Sequence, residues 1–203
     1  MIEVHQALIL RQAPSGESFL KLEVLTPESG AFLCLKRTSK KNLQQSVPDL
    51  FDTAEIQLET SKQGTARFVR EYQLITRREA IGRNYRTLQQ ASEFCALLAR
   101  NAPHMAEPAA LFELAERTLN AFAEGKAPEV VHLKAIYLLL KDEGYPIRES
   151  WWPQLNPTLR NAAKTLINQP APEAITSAER ESCTQITRHL YRWLEQDTDL
   201  VLP

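Results

Sequence analysis

The feature that most constrains this chain is a single change of hydrophobic period near residue 80. From His5 to about Arg78 apolar residues alternate in short bursts: HQALILRQ, SFLKLEVLT, AFLCLKR, TAEIQLETS and RFVREYQLITR. A period of two marks strands with one apolar face. The separators Pro14-Ser15-Gly16, Pro27-Glu28-Ser29-Gly30 and Lys62-Gln63-Gly64 hold turn residues, with a glycine free to take positive φ.

Five short strands with one apolar face cannot leave both sheet edges open, so a meander that closes into a small antiparallel barrel of OB-fold type is expected over residues 1–79. Beyond Ala80 the period becomes helical: Tyr85, Leu88, Ala91, Ser92, Cys95, Leu98 and Ala99 recur at threes and fours. Further helices are expected from Pro108 to Gly125 and from Pro128 to Gly144, each with proline in its first turn and glycine after its end. The third helix, VVHLKAIYLLLKDE, is apolar enough to be central and buried. Trp151-Trp152-Pro153 breaks the pattern. A helix then runs from Pro157 to Asn168, Pro170-Ala171-Pro172 ends it, and Ser177 heads a last helix. The chain is thus expected to be α+β, a five-stranded barrel followed by an all-helical domain over 80–203.

The formal net charge of -1 identifies no partner, but it is unevenly spread. Residues 1–86 carry +3 and residues 87–203 carry -4. Lys36, Arg37, Lys40 and Lys41 follow the third strand, and Arg67, Arg70, Arg77, Arg78, Arg83 and Arg86 span the last strand and the junction. A basic barrel with aromatic residues suits single-stranded nucleic acid, since cations meet phosphates and rings meet unstacked bases. Phe32 and Phe68 themselves read as core. The three cysteines, Cys34, Cys95 and Cys183, lie far apart with no CxxC pair, so reduced thiols in a cytoplasm are expected. The opening MIEVHQALILR lacks a basic leader, and no apolar run reaches membrane-spanning length.

No GxxxxGK[ST], GxGxxG, HExxH or GxSxG string occurs. The four histidines, His5, His104, His132 and His189, are scattered, and His132 and His189 read as hydrogen-bonded structural residues. Glu55, Gln57 and Glu59 alternate as the wet face of one strand, in preference to an acidic metal cluster with Asp49 and Asp52. Trp151 and Trp152, beside prolines at a helix boundary, read as a plug in a domain seam, in preference to a platform that stacks bases or sugars. No catalytic residue, metal or cofactor is expected.

The stretch ALILRQAPSGESFLKLEVLTPESGAFLCLKRTSKK, with Glu17 upstream of Thr26-Pro27-Glu28-Ser29-Gly30 and a basic loop after the third strand, resembles the opening of the RecO family. KAIYLLLKDEGYPI, closing on Gly144-Tyr145, and ITRHLYRWLEQ are similar to later helices of that family. The resemblance implies an OB-fold domain, then a helical domain, in a DNA repair and recombination mediator. Such a protein binds single- and double-stranded DNA, anneals complementary strands, and works with RecR and the acidic C-terminal tail of single-stranded DNA-binding protein to load the recombinase RecA. It implies phosphate contacts from Arg11, Lys21, Lys36, Arg37, Lys40 and Lys41, joined by Arg67 and Arg70. A tail-peptide groove is expected at Lys134, Tyr137, Leu138 and Lys141. Two departures stand out. Arg148-Glu149-Ser150-Trp151-Trp152 follows where many members insert a cysteine-rich zinc module, and Arg37 follows Lys36 where the family tends to place glycine. A RecO-like adaptor with little DNA affinity is the alternative.

Overall fold

The computed structural model describes residues 2–38, 47–61 and 66–203. Five strands, β1 (Ile2–Ser15), β2 (Phe19–Thr26), β3 (Gly30–Arg37), β4 (Thr53–Thr60) and β5 (Arg67–Thr76), precede the helices α1 (Tyr85–Asn101), α2 (Pro108–Ala123), α3 (Pro128–Asp142), α4 (Pro157–Asn168) and α5 (Ser177–Asp197). The architecture is α+β, as the change of period predicts. The chain divides into two compact units, one holding the strands with residues 102–113, the other residues 79–101 and 114–203. The turn at Lys62-Gln63-Gly64 lies outside the described residues.

The strands do not form a simple meander. β4 leaves β3 and pairs antiparallel with β1, from Ile2↔Glu59 to Leu8↔Thr53, while β5 takes the place beside β3. Every strand then has two neighbours, in the order β1-β2-β3-β5-β4 and back to β1. A ring with an odd number of strands cannot alternate direction throughout. The parallel step falls on the shortest ladder, Leu35↔Phe68 and Lys36↔Val69, and corrects the expectation of a fully antiparallel sheet.

Inside this ring, side chains from all five strands form the core, among them Ala7, Ile9, Leu22, Val24, Cys34, Ile56, Leu58 and Val69. One-residue bulges turn the strands. The register between β1 and β2 shifts at Ile9/Arg11, which leaves Leu10 unpaired and allows Ala7, Leu8, Ile9 and Leu10 all to be buried. A second shift at Gln57/Leu58 makes Arg70 the extra residue of β5, so that both Val69 and Tyr72 face inward. The Pro27-Glu28-Ser29 loop closes on Gly30, whose φ of +66° only glycine adopts without strain. Thr26 Oγ1 steadies it by accepting from the Ser29 amide at 3.1 Å.

In the helical unit α3 is the axis, with α1, α4 and α5 packed around it. Nine of its fifteen residues are buried, from Val130 to Leu140, which accounts for a helix apolar on nearly every side. Asn156 caps α4, and a reciprocal box between Thr176 and Glu179 caps α5. Trp151 is wholly buried within this unit, at the end of a π-helical turn, Ile147–Trp151. No described helix is long and apolar enough to cross a membrane.

Candidate nucleic-acid interface

Strand alternation decides which basic residues share a surface. Leu20, Leu22 and Val24 of β2 pack into the interior, so Phe19, Lys21 and Glu23 face out. On β3, Phe32, Cys34 and Lys36 point inward, and Ala31, Leu33, Leu35 and Arg37 outward. The register sets Arg37 beside Phe19, Leu35 beside Lys21 and Phe68, and Arg11 beside Glu23. One outer face therefore holds Arg11, Lys21 and Arg37 around Phe19, Leu33, Leu35 and Phe68.

The two phenyl rings meet diagonally across β3, with centroids 5.9 Å apart and planes tilted by 56°. Both are only half-buried, and Leu33 beside them is 51% exposed. Phe68 thus lies outside the interior core, contrary to the reading of it as core; its register with Leu35 puts it on the opposite side from Val69. Phe32 does pack inward. Phe19, Leu33 and Leu35 are site residues that sequence reading missed. The signal available was their parity with Lys21 and Arg37.

The remaining basic residues go elsewhere. Lys36 is 7% exposed, its ammonium 5.7 Å from the Tyr72 ring centre, and burial lowers its pKa. Arg67 lies on the inward side, stacked at 4.2 Å on Phe32. Arg70, on its bulge, is bonded to Glu59 on the β4–β5 side. Arg11 has a looser partner, Glu23 at 3.6 Å. Among the described residues no ion pair involves Lys21 or Arg37. Lys40 and Lys41 lie outside the described residues.

Two of the junction arginines, Arg77 and Arg78, hold the end of the strand unit together. Asp52, fully buried, accepts from Tyr72 Oη at 2.8 Å and from Arg77 at 2.8 and 3.1 Å, and Arg78 donates to Thr53 Oγ1 at 2.9 Å. Asp52 is therefore no member of an acidic metal cluster, while Glu55, Gln57 and Glu59 take the outer side of β4 as expected.

In the helical unit, a cleft of about 310 Å³ lies between α3, the π turn and α4, lined by Tyr137, Arg148, Trp152, Lys164, Ile167 and Asn168. Tyr137 and Trp152 form its aromatic wall, 6.3 Å between centroids. A hydrogen bond to Tyr137 raises the Arg148 pKa and keeps the guanidinium at the rim. Of the four residues expected in the tail groove only Tyr137 lines this cleft. Lys134 donates to the Ile167 carbonyl at 2.9 Å and so closes the C-terminal end of α4; Leu138 is half-buried, and Lys141 is exposed.

Cys34 and Cys183 are buried thiols that desolvation pushes up to about 12, far from the thiolate state a nucleophile needs. No protein-family model matches the chain, and no curated protein matches it significantly.

Proposed function

We propose that the strand unit is an OB-like module that binds single-stranded DNA on the outer face of β2 and β3, and that the protein acts as a RecO-like recombination mediator. The observation that carries this reading is the half-exposed Phe19–Phe68 pair flanked by Lys21 and Arg37. Rings at that spacing offer faces to unstacked bases, while the cations meet the phosphates on either side. The closed strand order with its parallel β3–β5 step supports the OB-like assignment, and the outer side of strands 2 and 3 is where such folds take oligonucleotides. No bond chemistry belongs to this reading. Annealing follows from neutralising the phosphates of two strands so that they approach and pair.

The protein-binding part of the reading falls to the Tyr137–Trp152 cleft. It has an aromatic wall, two rim cations and no carboxylate among its lining residues, which suits an acidic peptide with an apolar end such as the tail of single-stranded DNA-binding protein. RecR, implied by the same resemblance, is the second partner. That cleft, together with the pairing of Arg11 and Arg70 to carboxylates, equally favours the second reading, a RecO-like adaptor with little DNA affinity.

Oligonucleotide binding by a Phe19→Ala, Phe68→Ala variant separates the two. Stacking lost at two rings lowers affinity by about 2 kcal/mol, roughly thirtyfold, and leaves the salt dependence nearly unchanged. Wild-type protein that binds no oligonucleotide at low salt would overturn the DNA reading and favour the adaptor.

A further inference from the structure

α1 and α5 both pack on α3 and leave between them a cleft of about 280 Å³; a second, of about 330 Å³, walled mostly by residues 122–128 and 173–175 with Arg86 and Arg180 at its edge, adjoins it at Glu129. His132, fully buried on α3, ties the two flanks together: its ring nitrogens reach the Gln90 carbonyl of α1 at 3.1 Å and the Tyr191 hydroxyl of α5 at 2.9 Å. Above this tie α5 presents Arg180, Thr184, Arg188 and Tyr191, and α1 presents Arg86 and Gln90. The α5 groups Arg180, Thr184 and Arg188 recur every four residues, about 6 Å apart along the axis.

The cations of the two clefts are Arg86, Lys126, Arg180 and Arg188, and the acids are Glu129 and Glu173. Three of these four cations and both acids belong to residues 87–203, whose formal charge is -4, and Arg86 at the start of α1 brings the local excess to two positive charges. Arg180 and Arg86 already converge on one anionic group, the Glu129 carboxylate, at 2.9 and 3.8 Å. Donors repeated along a groove meet a repeating anion better than a single one, and guanidinium forks match phosphate oxygens in pairs.

We infer that the α1/α5 groove is a second binding track for the phosphate backbone of a nucleic-acid strand. The inference rests on the DNA reading of the sheet unit and deepens it, because a protein that pairs strands needs somewhere to hold the second one. The guanidinium groups and the second N–H of the Gln90 amide supply contacts of no base preference, so the track takes any sequence, while the Tyr191 and Thr184 hydroxyls donate to His132 and to the Arg180 carbonyl and shape its wall.

The test uses the full chain and two non-complementary oligothymidylates, one with a donor and one with an acceptor fluorophore. Anisotropy reads binding of either strand alone, and energy transfer reads two strands held together. Wild type is expected to give transfer. Arg180→Ala with Arg188→Ala should keep the anisotropy signal of the sheet-bound strand, lose the transfer, and reduce the ratio of second-strand affinities between 50 and 200 mM salt by about sevenfold for two lost contacts. Arg188→Glu alone, at an exposed position, should lose transfer with an unchanged melting curve, so a folding defect cannot mimic the result. Transfer unchanged in both variants would overturn the inference and leave the sheet face as the DNA site. Abolition of all binding by the groove variants, with Lys21→Ala, Arg37→Ala silent, would support the groove and overturn the sheet-face reading. Groove occupancy by oligoglutamate but not by oligothymidylate would overturn the nucleic-acid assignment in favour of an acidic protein segment.

Discussion

Acidification should destabilise the helical unit through one residue, His132. Its ring is wholly buried on α3. The Gln90 carbonyl can only accept, so Nδ1 carries the proton and Nε2 accepts from the Tyr191 hydroxyl. Protonation would bury a charge and place two hydrogens between Nε2 and Tyr191 unless the phenol turned away. Burial accordingly lowers the His132 pKa from 6.5 to about 4, partly opposed by the bond to Gln90. The unfolded chain takes up this proton near pH 6.5 and the folded chain only near pH 4. Stability is therefore full above pH 6.5, falls with pH between the two values, and levels off below the lower one. At 1.36 kcal/mol per unit the loss is about 3 kcal/mol. Urea midpoints for wild type and His132→Gln across that range isolate the effect, since the carboxylates and the other three histidines are common to both. The wild-type curve should steepen below pH 6.5 where the variant's does not. Parallel curves, or a His132 imidazole resonance, assigned by its absence in His132→Gln, that titrates near 6.5 in the folded protein, would refute the reasoning.

Other consequences follow from single contacts. Asp52→Ala leaves Arg77 and Tyr72 without their shared acceptor and should cost about 3 kcal/mol by chemical denaturation, whereas Asp52→Asn should cost less. Thr176→Ala removes the N-cap of α5 and should lower stability by about 1 kcal/mol, with the loss in helical signal confined to the melt midpoint. Native protein should resist thiol alkylation at pH 8 at Cys34 and Cys183, and react once unfolded. Trp152→Ala should weaken an acidic, apolar-ended peptide by tenfold or more in a titration, while Lys134→Ala should alter the melt and leave that affinity unchanged.

The elements were legible because their signals are local. Pro128, Pro157 and Ser177 open α3, α4 and α5 where the sequence places them, and the apolar density of α3 foretold its central position. The ring order of the strands was not legible. Alternation says that a strand has an inner face but not which strand lies beside it, and β4 reaches β1 through pairings more than forty residues apart in sequence.

The bulges at Leu10 and Arg70 are single unpaired residues, invisible in a period-two pattern until the partner strand is known. The same limit governs the site. Lys36 and Arg37 read as one basic patch, yet adjacent residues on a strand point to opposite sides, so only Arg37 reaches the outer face. Phe19 and Phe68 lie 49 positions apart and meet only because β5 docks beside β3. The Tyr137–Trp152 cleft likewise needs α3, a π turn and α4 in place before its residues are neighbours.

DNA binding on the outer face of β2 and β3 is tested most directly by one titration. A labelled single-stranded oligonucleotide is titrated by anisotropy at 50 and 200 mM salt with wild type and with the Lys21→Ala, Arg37→Ala variant. Wild type should bind with an affinity that falls as salt rises, and the variant should bind more weakly with a slope of log K on log salt reduced by about 1.4. Equal affinity and slope in the two proteins, or no binding by wild type at the lower salt, would contradict it.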